Sequence, residues 1–595
     1  MDLELLIRQG IQKAFAEKFN HQISLDELSV KPTSREYDGS HTFVLFPYLK
    51  ITRRKPEESA EIIGNYLIEN TGVITGFNAI KGYLNLTVSD NAWIKMFNSS
   101  ITDRNRGKFL PNGKKVIVEY SSPNTNKPLH LGHMRNIFLG YSVAAILEAS
   151  GCEVLRVNLV NDRGIHICKS MLSYEKFGND ETPESSGTKG DHLIGKYYVL
   201  FDREYKKQVE ELVRNGMDRE TAEKNASLIR EAQEMLRKWE EKDQHVTSLW
   251  KKMNEWVYQG FEETYKRMGV AFQRTYYESE TYLLGKEIVR EGLDKGILYK
   301  KEDGSVWIDL RDEGLDEKLL LRSDGTSVYI TQDLGTCDIR YRDFPFDLSI
   351  YVVGNEQNYH FDILFRILKK LRRPYASGLV HLSYGMVDLP SGKMKSREGT
   401  VVDADDLMDE MYDTAVKHTE ELGKIEDFSP SQLSELYQMI GMGALKYFIL
   451  KVDPKKRMLF NPEESVQFHG NTGPFIEYTH ARISSILRKA VEMKISIPDQ
   501  IDPSMPLHET ERALLILLYD FPAKLKEAAD EFSPSVIANY CYELAREYNR
   551  FYTELSVLSE PDQVKRDFRI VLSAHLAKTI KSGMGLLGIQ VPERM

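Results

Sequence analysis

His130-Leu131-Gly132-His133 places two imidazoles around a glycine at a point where a strand gives way to a helix. The preceding run Val116-Ile117-Val118-Glu119-Tyr120 is apolar and β-branched, the pattern of a buried strand. Residues 121–128, with Pro123, Asn124, Asn126 and Pro128, form an irregular loop. Residues 134–149 then carry Ile137, Phe138, Tyr141, Ala145 and Ile146 at helical spacing. The free N–H groups and the dipole at a helix N-terminus favour an anion. Each imidazole can add a hydrogen bond to a phosphate oxygen, and a glycine lets a flat base approach the backbone. That chemistry suits ATP. One capping and one surface histidine would give the same tetrapeptide, so the decision falls to its surroundings.

A second group of cations is Ser391-Gly392-Lys393-Met394-Lys395-Ser396-Arg397-Glu398-Gly399-Thr400, after a strand and the turn around Pro390. A Gly-bearing loop with several positive charges can fold over a triphosphate and neutralise the charge that builds as pyrophosphate leaves. In isolation it reads as a basic surface loop. Its place after the last strand of the sheet, far beyond His133, favours the nucleotide reading.

Two such loops must be positioned by a fold. At 595 residues the chain exceeds one compact core and implies three or more domains. A hydrophobic content of 41% and a charged content of 28% describe a soluble globular protein. No apolar run approaches the roughly eighteen residues of a membrane helix, so no membrane span is expected. The opening Met-Asp-Leu-Glu-Leu-Leu-Ile-Arg matches neither a secretory signal nor a transit peptide, which points to a cytoplasmic protein. Cys152, Cys168, Cys337 and Cys541 show no C-x-x-C pairing, so reduced thiols are expected, with no metal-ligand set and no structural zinc. A net charge of −10 neither announces nor excludes a nucleic-acid partner. Lys369-Lys370-Leu-Arg372-Arg373, Lys455-Lys456-Arg457 and the pair Arg546, Arg550 are local basic clusters that read first as solvated surface.

Along the chain, residues 1–113 read as a small α/β unit, with helices at 3–19 and 56–69 and strands at 42–45 and 82–88. Residues 114–427 alternate strands and helices in doubly wound, parallel fashion, with strands near 116–120, 154–160, 349–353 and 379–386. A charged helical insertion occupies about 175–275, with 203–238 reading as exposed helices. Residues 428–595 run helix after helix, an all-helical bundle of the kind that serves recognition.

The segment Glu119-Tyr-Ser-Ser-Pro-Asn124-x-x-Lys127-Pro-x-His130-x-Gly-His133-x-Arg135 resembles the ATP-site segment of arginyl-tRNA synthetases, a class I aminoacyl-tRNA synthetase family. The resemblance implies a Rossmann-like catalytic domain, a tRNA-contacting N-terminal domain and a helical anticodon-binding domain. It implies an arginine–tRNA ligase of protein synthesis, acting as a cytoplasmic monomer on L-arginine, ATP with Mg²⁺, and tRNA(Arg). In the family, adenylate forms only when tRNA is bound. His130, His133, Lys127 and Lys393 are then the catalytic groups, and His130, Gly132, His133, Lys393, Met394 and Arg397 contact ATP. The match at the second loop to the lysine-methionine-serine-lysine-serine consensus is loose. Lys395 stands at the first serine, Ser396 at the second lysine and Arg397 last; in this family a lysine before the first motif, here Lys127, can compensate.

The same resemblance places arginine among Glu119, Ser122, Asn124, Glu278, Tyr329, Asp333 and Gln357. A guanidinium calls for carboxylates in a fork geometry, and Tyr329 and Asp333 share a face if their segment is helical. After the second strand the family shows Asp-Trp-Gly-Thr-Gln, whereas this chain has Asp162-Arg163-Gly164-Ile165-His166. Residues 470–483, 545–552 and 592–595 resemble the anticodon-binding domain. Arg482, Arg546, Asn549, Tyr552 and Met595 are implied as tRNA contacts, by stacking and clamping of bases. The alternatives are a class I synthetase for another amino acid and a non-catalytic tRNA-binding paralogue. The first would favour a zinc cluster or a carboxylate-poor pocket, and the second the loss of the histidines or of Lys393.

Overall fold

The computed structural model describes residues 3–33, 36–101, 107–388, 402–422, 428–495 and 498–595. At its centre is a five-stranded parallel sheet of Lys115–Glu119, Glu153–Val160, Arg274–Tyr277, Leu348–Gly354 and Leu379–Tyr384. Numbered in chain order, the strands lie 5-4-1-2-3. The chain therefore steps outward from the first strand to one edge, then crosses back to fill the other side. This is the doubly wound arrangement, and its reversal beside the first strand opens a crevice at the strands' carboxyl ends. Alternate residues of the first strand serve two cores: Val116 and Val118 pack in one cluster and Ile117 in the other.

The third strand is not singled out by the sequence pattern. It holds only four residues, with polar Arg274 and Thr275 at its start, too few to display a period. Between the second and third strands the described chain is helical, including Ile165–Phe177, Gly190–Arg214, Ser227–Glu240 and Gln244–Met268. A second unread element follows, a three-stranded antiparallel sheet of Leu298–Lys300, Val306–Ile308 and Lys318–Leu321.

The helix after the first strand, Leu131–Ala149, begins three residues earlier than its apolar spacing predicts and is buried around most of its circumference. Such a helix lies inside a molecule rather than on its surface. Helices Pro430–Leu450, Gly473–Glu492, Glu509–Asp530, Pro534–Glu554 and Gln563–Leu586 form the C-terminal region, and all but Gly473–Glu492 pack against it. The N-terminal unit is a four-stranded antiparallel sheet with helices Leu3–Phe19 and Pro56–Thr71. It docks on the bundle: Arg512 pairs with Asp90 at 2.8 Å, and Trp93 meets the ring of Tyr519 edge-on. Among the described residues, no helix is long and apolar enough to cross a membrane. The four cysteines are free thiols.

Candidate active site

His130 is the N-cap of helix Leu131–Ala149. Its Nδ1 accepts the N–H of Gly132 at 3.1 Å, and Nδ1 of His133 accepts the N–H of His130 at 3.2 Å. With both Nδ1 atoms accepting, each neutral ring carries its proton on Nε2. Burial, reinforced by the charge of Lys127, lowers the His130 imidazole to about 3. His133 is pushed well below its ordinary value by burial, by His130 and by Lys127. Both rings are therefore uncharged donors near neutrality, and net positive charge must come from lysine or arginine, such as Lys127, Lys196 and Arg203 around the neighbouring cavity. Gly132 has a further reason beyond access for a base. A Cβ there would lie 3.0 Å from Cε1 of His130 and push the capping ring away.

The loop ahead of the histidines turns through two consecutive left-handed residues, Ser121 (φ 73°) and Ser122 (φ 45°). Such backbone persists only where its surroundings hold it. Here Asn136 Oδ1 accepts the N–H of Ser121 at 2.5 Å and Asn158 Oδ1 that of Ser122 at 3.0 Å. The first motif is also strapped to the segment after residue 401. The N–H of Leu131 donates to Val402 O at 3.1 Å, and that of Ala404 to Leu129 O at 3.0 Å. Beside this strap Lys189 donates to Asp405 and to Thr264 Oγ1, and Arg267 donates to Asp405 Oδ1 at 2.8 Å. Asp191, His192 and Asp405 are close enough to share a cation. The Lys189 ammonium already lies among them, 3.3 Å from Asp191. Lys127 and His130 line a cavity of about 550 Å³ with His192, Lys196, Tyr198 and Asp403. Lys393, Met394 and Arg397 lie outside the described residues.

The expected amino-acid groups gather at the same carboxyl ends. Glu278 follows the third strand directly, and Asn124 bridges to Asn161 beyond the second. Asn124, Glu278 and Tyr329 line a cavity of about 470 Å³ with Asn161, Arg163, Tyr282 and Gln332. Asn161, its amide nitrogen turned towards them, donates to the Arg163 carbonyl at 2.9 Å and to Glu278 Oε2 at 3.2 Å. Burial and the neighbouring carboxylates Asp333, Asp162 and Glu119 raise the Glu278 carboxyl to about 8.

Tyr329 and Asp333 do fall on one helix, Tyr329–Asp343, at its N-terminal end. Tyr329 is 73% exposed and Asp333 faces His360 at 2.6 Å. Glu119 is placed differently from expectation. Its carboxylate is buried against the fully buried Arg340 of that helix, and Oε1 accepts from Ser122 Oγ at 3.3 Å. Its charge is thus answered within the protein. Gln357 lies in a short exposed turn after the fourth strand and does not line this cavity. Asp162 is buried, accepting from Ser279 Oγ at 2.6 Å and from Tyr258 OH at 3.0 Å. The departure at residues 163–166 therefore leaves its turn intact.

The remaining expected positions lie in the helical bundle. Arg482 donates to Asn549 Oδ1 and packs over Tyr478 and Tyr552, at 4.9 and 5.1 Å from the ring centroids. Tyr552 and Arg546 are exposed, and Met595 packs against the core. Asn136, Asn158, Arg340 and His360 are not singled out in the sequence reading. Only Asn136 carries a signal, an amide one turn beyond His133 in a mainly apolar helix.

A parallel doubly wound sheet with a histidine-capped helix at its switch point, joined to a helical bundle, defines a class I aminoacyl-tRNA synthetase. A family model described as "tRNA synthetases class I (R), catalytic domain" matches residues 97–461, and one described as "DALR anticodon binding domain" matches residues 476–595. The arginine–tRNA ligase of Amoebophilus asiaticus is 55% identical over 596 residues, covering 100% of both chains. That of Bacteroides thetaiotaomicron is 55% identical over 579 residues, covering 97% of each. In fold, the chain resembles Thermus thermophilus arginyl-tRNA synthetase, with a TM-score of 0.81 at 24% identity over 100% of both chains. The Plasmodium falciparum arginyl-tRNA synthetase gives 0.74 at 20% identity, covering 100% of this chain and 98% of the other. The chain belongs to the arginyl-tRNA synthetase family.

Proposed function

We propose that the protein joins L-arginine to tRNA(Arg) in two steps at the crevice beyond the first strand. A carboxylate oxygen of arginine attacks the α-phosphorus of ATP, the bond to pyrophosphate breaks, and arginyl-adenylate forms. A terminal ribose hydroxyl of tRNA then attacks the arginyl carbonyl and AMP leaves. No side chain need act as nucleophile. Rate is gained by positioning and by stabilising the phosphate charge. His130 and His133 donate from Nε2, Gly132 and the helix N-terminus offer N–H groups, and Lys127 and Lys393 supply positive charge. Met394 and Arg397 complete the ATP contacts. Mg²⁺ bound to ATP shares the charge of the phosphates.

Glu278, Tyr329 and Asp333 receive the guanidinium, Ser122 and Asn124 hold the main-chain groups of arginine, and Gln357 reaches those groups from the turn after the fourth strand, outside the Glu278 cavity. Glu119 serves this pocket by holding Ser122 and, through Arg340, the helix that carries Tyr329 and Asp333. Arg482, Arg546, Asn549, Tyr552 and Met595 contact the tRNA. The observation that carries this reading is the carboxyl of Glu278, which faces a cavity at the strand ends with other carboxylates nearby and no lysine or arginine salt-bridged to it among the described residues. Such a site calls for a cation. One chain supplies both the pocket and the recognition helices, which supports action as a monomer. Four unpaired thiols support a cytoplasmic setting.

ATP–pyrophosphate exchange with each amino acid, with and without tRNA, tests the reading. Exchange that requires both arginine and tRNA is expected. Exchange with a different amino acid overturns it.

A further inference from the structure

The wall of the proposed arginine pocket carries a guanidinium of its own. Arg163 Cζ lies 3.9 Å from the ring centroid of Tyr282 and 5.1 Å from that of Trp239. Its Nη2 donates to Glu240 at 2.7 Å. Trp239 meets Trp250 edge-on, and the indole N–H of Trp250 donates to the carbonyl of Asp162 at 2.6 Å. Helix Ser227–Glu240 of the insertion is thereby pinned to the turn after the second strand. Two aromatic faces and a carboxylate make a receptacle that suits any guanidinium. Arg163, Glu240, Glu278 and Tyr282 all line the one cavity. An incoming arginine therefore approaches two carboxylates, only one of which already holds a cation.

We infer that Arg163 is a positioning residue for the substrate: by filling the box of Glu240, Trp239 and Tyr282, it leaves Glu278 as the carboxylate on this wall that an arginine substrate can engage. With Arg163 removed, the same box becomes a rival guanidinium site, and arginine seated there holds its carboxylate away from the α-phosphate. The inference rests on the reading of Glu278 given above. Lys286 and Arg322 line the cavity as well; Asp333, Asp162 and Glu119 raise the Glu278 carboxyl from neighbouring elements, and the charge of Arg163 lowers it. R163Q therefore also alters Glu278, and the double variant, which lacks the same charge, isolates the box.

Arginine and ATP titrations of pyrophosphate exchange in the presence of tRNA, run on R163Q, R163K, R163Q/E240Q and E278Q, test this. R163Q is expected to lower kcat and the KM for arginine together, each about tenfold, because arginine seated in the rival box is bound but unproductive; kcat/KM for arginine and the KM for ATP stay near the parent values. R163Q/E240Q, in which the rival carboxylate is gone, returns both constants to within about threefold of the parent, because the two sites are coupled. A purely structural latch would leave the double variant no better than R163Q, and that result overturns the inference. So do a parent-like kcat and arginine KM in R163Q. Where R163Q melts below the assay temperature, R163K answers instead: it keeps the pair with Glu240 and the parent kcat and KM, and a tenfold fall of both overturns the inference. E278Q separates the two readings. If it leaves the arginine KM unchanged, the pocket assignment fails; if it raises the KM while R163Q is silent, only the role of Arg163 fails.

Discussion

On the reading proposed above, Glu278 meets arginine with a proton to lose. Its carboxyl is raised to about 8 by burial and by Asp333, Asp162 and Glu119, yet a guanidinium binds the carboxylate. Below pH 8, binding must therefore expel that proton, and affinity weakens by about tenfold for each unit of acidification. The KM for arginine is expected to fall as pH rises towards 8 and to level off above it, whereas Glu278→Gln gives a raised and flatter profile. Titrating the KM from pH 6 to 9 checks this. The histidines behave oppositely. His130 sits at about 3 and His133 well below its usual value, so neither contributes a step to that profile. At this scale residue type and order suffice to bring Glu278 and Tyr329 to one cavity and the histidine pair to a helix N-terminus. The sequence is silent on Arg340, because nothing in Cys337-Asp-Ile-Arg340 marks a buried partner for a glutamate more than two hundred residues earlier.

Elements cross closely where small residues let them. In the C-terminal region Gly443 of helix Pro430–Leu450 faces Glu477 of helix Gly473–Glu492, and a Cβ on Gly443 would overlap Glu477 Oε1. Gly443→Ala is expected to cost about 1–3 kcal/mol of stability, read by urea unfolding. Glu477→Ala in the same chain removes the collision, so the double variant loses less than the sum of the singles. The strap between the first motif and residues 402–404 makes a second case. Asp405 is held by hydrogen bonds from His192 and Lys189 and by the charges of Lys189 and Arg267, which lower its carboxyl below the usual range against the cost of burial. Asp405→Asn leaves Lys189 to Asp191 and Arg267 to Asp409 and is expected to destabilise by about 1–3 kcal/mol. The same substitution should raise the KM for ATP more than that for arginine, which parallel titrations check. The helices and most strands of the central sheet are legible from periodicity; Arg274–Tyr277 and the small antiparallel sheet are too short to show one.

Across the whole molecule, the catalytic sheet and the bundle share one helix. Arg135, buried in Leu131–Ala149, donates to the carbonyls of Pro454 at 3.1 Å and Lys456 at 2.7 Å. Ser142 Oγ of the same helix donates to Leu586 O at 2.8 Å, and Lys446 donates to Gly588 O at 2.5 Å. Calorimetry is expected to show these two parts unfolding in one transition. Arg135→Met, which surrenders both carbonyls, should lower its midpoint, and two resolved transitions in the parent protein would contradict the coupling. The sequence shows this helix as apolar but not what covers it, since the carbonyls and the tail that close over it lie hundreds of residues away.

That shared helix bears on any attempt to cut the enzyme down. A fragment ending near residue 461 would keep the histidines, the strands and the Glu278 cavity, and would look self-sufficient on paper. It would also strip helices Glu509–Asp530, Pro534–Glu554 and Gln563–Leu586 from helix Leu131–Ala149, take the Leu586 carbonyl from Ser142, and leave an apolar seam that invites aggregation. The recognition bundle thus doubles as a resident chaperone for the nucleotide site, and a minimal ligase would need that seam repainted with polar residues before it could be expected to stay in solution.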